Sequence, residues 1–216
     1  MSRPFTFFAL LLIFVLLGLG TWQLQRKAQK EALLTTMAHN QLKPTYNINS
    51  DTHLESFTPA YAKGHFLKEK TIFLQSKVHK GKNGLYVLGV FQTEGGQFLL
   101  VQRGWSLTEV HEVPLGHLTL HGIVRTPTPP NYFQPPNAAP IYFWIDLKAL
   151  SQDLNLPLLP YYLVSTTSYS PQIDHVNLLP QITNNHLSYA IIWYLLAFLF
   201  GTMLLWSRKY YFKKET

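Results

Sequence analysis

Two long uncharged apolar runs, one near each end of the chain, constrain this sequence more than any other feature. Residues 4–22 carry no formal charge and are dominated by Phe, Leu, Ile and Val. At about 1.5 Å per helical residue they reach roughly 28 Å, the thickness of a bilayer's hydrocarbon core. Residues 187–206 form a second such run, broken only by Ser188 and Thr202, with Tyr189, Trp193, Tyr194 and Trp206 supplying aromatics of the kind that settle at membrane interfaces. Only 13% of residues are charged while 47% are apolar, a composition that fits two lipid-buried helices around a water-exposed segment. The other reading of the first run is a cleaved signal peptide, with Arg3 as its basic start and Gly18 to Gly20 as a small-residue cleavage site. Its length, and the basic helix-forming sequence that follows Trp22 directly, favour a span.

The formal charge of +7 is explained by the same two runs. Arg3, Arg26, Lys27, Lys30, Arg208, Lys209, Lys213 and Lys214 flank the spans, offset only by Glu31 and Glu215; the residues between are nearly balanced. The basic excess therefore belongs to membrane flanks facing anionic headgroups, and the bilayer rather than nucleic acid is the partner it implies. More of these cations lie on the terminal tails than on the loop side, which favours cytoplasmic termini, and a long intervening segment translocates largely regardless of its charge. With no room for a transit peptide ahead of residue 4, the expected location is a bacterial inner (cell) membrane crossed twice, with the middle domain in the periplasm.

The expected organisation is thus a transmembrane helix at 4–22, an extramembrane domain at 23–185 and a second transmembrane helix at 187–206. The domain opens with strong helix formers after Trp22, so the first helix is expected to continue as a polar stalk until Pro44 at the latest. Beyond it the pattern changes to short runs rich in β-branched and aromatic residues, predicting strands over 61–66, 71–78, 85–92, 97–103, 118–125, 141–145 and 161–166. Lys82-Asn83-Gly84 and Glu94-Gly95-Gly96 read as hairpin turns, so consecutive strands are expected to pair antiparallel. One short helix is predicted at 146–154, and the Pro-rich stretch 126–140 reads as a structured loop. The fold class is therefore an integral membrane α+β protein, in which two transmembrane helices flank an antiparallel β-rich domain, a sheet or a partly closed barrel.

Little in the sequence looks like catalysis. The absence of Cys excludes disulfides, thiol nucleophiles, thiolate metal centres and c-type haem attachment. No hydrolase elbow, phosphate-binding loop or zinc-protease helix motif occurs, and the three methionines are dispersed. Among nine histidines, His117 and His121 share a strand face but lie roughly 13 Å apart, too far for one ion. An enzyme is not expected.

His186 stands out by its position at the mouth of the second span. On a helix His186, Tyr189, Ala190, Trp193 and Ala197 share one stripe, an imidazole above an aromatic and small-residue groove. Such a stripe suits a flat apolar ligand or packing against the first span; a helix cap with interfacial aromatics is the plainer alternative. Neither span holds a second His, which excludes a bis-histidine haem within the spans of one chain. Arg103-Gly104-Trp105 closes an apolar strand, with Trp105 placed to stack on Arg103 or a ligand. Asp146 is placed to pair with Arg103 or Arg125, as a structural ion pair rather than a catalytic carboxylate.

In this order the pieces resemble the Surfeit locus protein 1 family of cytochrome c oxidase assembly factors. The resemblance is carried by Gly20-Thr21-Trp22-Gln23-Leu24-Gln25-Arg26, Gly64-His65-Phe66, the strand from Gly84 to Val90, and Leu100-Val101-Gln102-Arg103-Gly104-Trp105. It continues through Gly122-Ile123-Val124-Arg125, Phe133-Gln134-Pro135-Pro136-Asn137, Phe143-Trp144-Ile145-Asp146 and Asn185-His186-Leu187-Ser188-Tyr189-Ala190 with Trp193. Gln102 and Ser188 depart from the family's usual Asn and Gln. The resemblance implies a non-enzymatic factor that helps insert haem a into, or stabilise, the haem-bearing subunit of the oxidase. It implies transient haem a as cofactor, oxidase subunit I and haem a synthase as partners, and His186 as the haem-associated histidine, with Tyr189 and Trp193 beside it. A cofactor-free scaffold is the alternative, its β domain docking oxidase subunits or other proteins, with Arg103, Trp105 and Trp22 as the candidate partner-binding residues.

Overall fold

The computed structural model describes residues 3–49, 54–176 and 185–212; of the residues named above, Lys213, Lys214 and Glu215 lie outside them. The elements run α1 (Arg3–Gln41), β1 (Tyr46–Asn47), β2 (Pro59–His79), β3 (Lys82–Thr93), β4 (Phe98–Ser106), β5 (Leu118–Arg125), α2 (Leu147–Leu154), β6 (Leu158–Ser165) and α3 (His186–Phe212). The chain forms two compact units, one of residues 1–36 with 182–216, the other of residues 37–181. Both terminal helices are long and apolar enough to cross a membrane, and most of their apolar side chains are exposed. α1 does continue far past Trp22, and it stops three residues before Pro44, as the loss of a backbone donor there requires.

The β unit holds one mixed six-stranded sheet in the order β1-β2-β3-β4-β6-β5, and β5 also pairs with β2. This double pairing is possible because β2 is long. Its first residues, from Pro59 to Gly64, pair with β5, while the remainder from Gly64 to His79 pairs with β3. The residues between the two strands predicted at 61–66 and 71–78 are a bulge inside β2, with Glu69 at φ 61°. Here four residues, 67–70, lie opposite Val90 alone, and such an insertion bends a strand without ending it, which is why two short patterns become one element.

The expected class holds, two long apolar terminal helices flanking a β-rich domain, but the sheet is mixed instead of wholly antiparallel. β4 and β6 run parallel, as do β1 and β2; the remaining pairings are antiparallel. A parallel pair needs a long connection, and here it is built from β5, the Pro-rich loop and the eight-residue α2, an assembly with no long helical pattern to announce it. The predicted strand at 141–145 is replaced by isolated bridges, Leu74 to Tyr142 and Ala138 to Ile141. The first hairpin turns at Lys80-Gly81, both at positive φ, so Lys82-Asn83-Gly84 begins β3 instead of forming the turn. The Glu94-Gly95-Gly96 turn joins β3 to β4 as expected.

Two apolar clusters cover the two faces of the sheet. One gathers Ala60, Ala62, Phe66, Phe91, Leu99, Val101, Leu120, Val124, Tyr161 and Leu163, side chains from β2 through β6. The other sets Ile72, Leu88, Val90 and Leu100 against Leu147 and Leu150 of α2. α2 is held in place by Asp146, whose Oδ1 accepts from the backbone N–H groups of Lys148 and Ala149, each at 3.1 Å. Asp146 therefore serves as the helix cap.

Candidate functional site

The residue that joins the ends of the chain chemically is His186. It opens α3, immediately after Asn185, whose carbonyl accepts the N–H of Tyr189 at 3.3 Å and so occupies the cap position. From there the imidazole Nδ1 meets Oε1 of Gln23, on α1, at 2.6 Å. Two turns further along α3, the Tyr194 hydroxyl and Thr21 Oγ1 lie 3.1 Å apart. The Tyr194 ring lies flat against Gly20, where an added Cβ would come within 2.7 Å of it. Gly20, Ala190 and Ala197 are all buried, so small side chains on both helices make the close approach.

This geometry sorts the stripe read from the sequence. His186 is half-buried, and its Nε2 is shielded from solvent without a hydrogen-bond partner. Trp193, seven residues and about 10 Å further along the helix, likewise has a buried indole N–H with no partner. Tyr189 is 53% exposed and Trp22 is 51% exposed, so these two side chains face away from the helix pair. An imidazole whose one nitrogen is hydrogen-bonded and whose other carries no partner has the donor arrangement of a metal ligand. Neutral imidazole is also a ligand haem iron accepts, and it sits above an apolar aromatic stripe. The residues present thus fit the group implied for them: His186 would ligate iron through Nε2 and Trp193 would flank it.

An apolar notch of about 290 Å³ also lies between the helices, lined by Phe5, Phe8, Leu12, Phe200, Met203 and Leu204. Leu204 is 18 residues from His186, about 27 Å along α3, so the notch belongs to the opposite end of the pair.

The candidate partner residues of the β unit are not on its surface. Arg103 is 3% exposed and Trp105 is 5% exposed. Opposite β3, Val87 pairs with Gly104 and Leu88 with Gln102, so Arg103 is the extra residue of a bulge. The bulge turns its guanidinium over the Phe66 ring, 5.6 Å from the centroid, where Nε and Nη1 have no hydrogen-bond partner and burial lowers its pKa. Trp105 does not stack on Arg103; its indole N–H donates to the Lys77 carbonyl at 2.7 Å and its ring packs against His79 at 5.3 Å. Both side chains hold β2, β3 and β4 together from inside.

Gln23 is the functional candidate that sequence reasoning passed over as a residue, although it lies in the Gly20 to Arg26 motif. The available signal was its position directly after the apolar run 4–22, as His186 directly precedes the run 187–206. The two histidines read from the sequence as too far apart for one ion have separate partners: His117 lies 5.4 Å from His65, ring to ring, while His121 stacks on Tyr61 at 5.8 Å. Among the described residues no three His, Asp or Glu side chains converge as a metal site.

The sequence matches the SURF1 family over residues 10–198, from within the first apolar helix to within the last. A SURF1-like protein of Rickettsia felis is 29% identical over 198 residues, covering 85% of this chain and 87% of that relative. A SURF1-like protein of Monosiga brevicollis is 27% identical over 222 residues, covering 89% and 82%. Surfeit locus protein 1 of Rattus norvegicus is 26% identical over 225 residues, covering 89% and 71%.

Proposed function

Since this chain belongs to the SURF1 family, we propose that it is a membrane assembly factor for a haem-copper cytochrome c oxidase, acting on haem a or on the subunit that carries it. The observation that carries the reading to a residue is the buried, unpartnered Nε2 of His186 at the head of α3. Haem a, as cargo, would offer its iron to that nitrogen and its flat macrocycle to the stripe containing Trp193. A single histidine ligand holds iron less firmly than two, which suits a carrier that must release what it holds. The clients on this reading are oxidase subunit I and haem a synthase, met at a bacterial inner membrane crossed twice, with cytoplasmic termini and a periplasmic β unit. The protein performs no chemistry of its own; its part is to hold and present.

The cofactor-free scaffold draws less support, because Arg103 and Trp105, its expected docking residues, are buried. Reduced-minus-oxidised spectra of membranes test the reading. A strain lacking this gene is expected to lose the haem a band while b-type haems persist, with recovery on complementation by the parent gene and reduced recovery by His186→Ala. Full haem a content in the deletion strain would refute the assembly role; full recovery by His186→Ala would refute the role of that histidine.

A further inference from the structure

Gln23 and His186 are 163 residues apart in sequence and 2.6 Å apart in space, at the edge of two helices with few polar residues. We propose that Gln23 is a positioning residue for the His186 ligand site: its side-chain carbonyl accepts the Nδ1 proton and leaves the lone pair on Nε2 for a metal. The inference rests on the haem reading above and goes beyond it by naming the residue that prepares the ligand.

Free histidine in water populates both neutral tautomers, and the one protonated on Nε2 cannot bind metal through that atom. A carbonyl oxygen at Nδ1 selects the opposite tautomer, since an N–H must stand between two acceptor atoms this close. The same bond fixes the ring plane and makes Nε2 more basic, as outer hydrogen bonds do for ligating histidines generally. Two of the nearby cations are engaged elsewhere. Arg26, one turn further along α1, donates to Gln29 Oε1 at 2.9 Å, and Lys27 is paired with Glu31 at 2.5 Å. Nε2, the acceptor this arrangement exposes to a ligand, is the atom found buried and unpartnered. A buried acceptor left unsatisfied is costly, and a metal or a donor on a ligand would remove that cost.

Two measurements on the full chain in detergent micelles test this. The first uses protein labelled with ¹⁵N in its imidazoles, with the His186 signals assigned by their loss in His186→Ala. The apo protein is expected to show Nδ1 protonated and Nε2 bare, and Gln23→Leu to revert to the mixed pattern of free histidine. An Nε2-protonated His186 in the parent, or an unchanged pattern in Gln23→Leu, would overturn the proposal.

The second titrates hemin into the parent, Gln23→Leu, Gln23→Glu and His186→Ala. Gln23→Leu is expected to weaken binding about 10-fold or more, the usual effect of removing an outer partner of a ligating histidine. Gln23→Glu keeps an acceptor oxygen, so it is expected to retain binding and lower the reduction potential of the bound iron, a change that a packing role alone would not produce. Equal hemin affinity in the parent and Gln23→Leu, with His186→Ala impaired, would overturn the role of Gln23 and leave the haem reading standing. Equal affinity in the parent and His186→Ala would overturn the haem reading and the ligand half of this proposal, while the tautomer signal would still report the Gln23 bond.

Discussion

Replacing Gly104 by alanine is expected to destabilise the β unit by about 3–5 kcal/mol. Gly104 has φ +149°, a region that essentially only glycine occupies and that costs other residues about 1–3 kcal/mol. An alanine Cβ would also fall 2.4 Å from the Asp174 carbonyl oxygen and 2.5 Å from Cγ2 of Ile173. The backbone of Asp174 cannot yield without losing a two-way bridge, in which Trp105 N–H donates to the Asp174 carbonyl at 2.8 Å and Asp174 N–H to the Trp105 carbonyl at 2.7 Å. Each such bond contributes about 0.5–1.5 kcal/mol net, and Ile173 belongs to a buried cluster with Phe73, Leu85, Val87 and Val110 that would open with it. At about 2–4 °C per kcal/mol for a unit of this size, the melting temperature should fall by about 10 °C. Near-ultraviolet circular dichroism during heating is the assay, because Trp105 reports this region above a background from Trp22, Trp193 and Trp206 of the terminal helices that both variants share with the parent. Gly116 is the control: its φ is +84°, but no atom lies within 4 Å of an added Cβ, so Gly116→Ala should show only the backbone cost. Equal melting of the two variants would refute the close-approach argument.

The helix pair and the alkaline limit give two more predictions. In the helix pair, Gly20→Phe is expected to displace the Tyr194 ring and part α1 from α3, so that His186 loses Gln23 and its imidazole returns to the mixed tautomers of free histidine; an unchanged imidazole signal would refute the packing described at Gly20. The Tyr142 hydroxyl donates to Asp153 Oδ2 at 2.7 Å, and burial, this bond and the carboxylate's charge push its pKa up to about 12. The folded chain therefore keeps a proton that the unfolded chain loses near pH 10, so this contribution to stability is complete below about pH 10 and falls as pH rises toward 12. Denaturant titrations should show Tyr142→Phe losing less stability than the parent over that interval; parallel losses would contradict the assignment.

What was legible in the sequence was whatever depends on local pattern. The lipid-facing helices follow from uninterrupted apolar length, and α2 from Asp146 ahead of an amphipathic stretch. β5 follows from its alternation, and it spans the predicted residues, Leu118 to Arg125. The errors lie where distant segments decide. The gap between 66 and 71 looked like a strand end because Leu67-Lys68-Glu69-Lys70 lacks a strand pattern, yet pairing on both flanks holds β2 continuous through it. The parallel β4 and β6 contact depends on where a connection of more than 50 residues lands, and no local window carries that. Residues 141–145 have strand composition, but Asn137 takes their backbone groups: its side chain accepts from Phe143 N–H at 2.8 Å and donates to the Trp144 carbonyl at 3.0 Å.

The candidate site divides by the same rule, and the division bears on function. Arg103 and Trp105 drew notice because an indole beside a guanidinium can stack on it or on a ligand, but a bulge of one residue turned both inward, where they brace the sheet. His186 drew notice by its address alone, and its address is what the fold uses. Its partner Gln23 was hidden because glutamine on a helix is ordinary, and only the pairing of α1 with α3 gives it meaning. A chain built to hold haem permanently would be expected to surround the iron with two strong ligands and a closed pocket. Here one imidazole, its Nδ1 hydrogen-bonded to a neutral amide, opens onto a stripe between two helices along which a pair of hydroxyls also meets. On the haem reading, that is an arrangement for receiving a ligand and giving it up, so strengthening it should impair function: Gln23→Glu is expected to raise haem retention while lowering oxidase yield. Higher retention with unchanged or increased yield would mean that release is not the step this site controls.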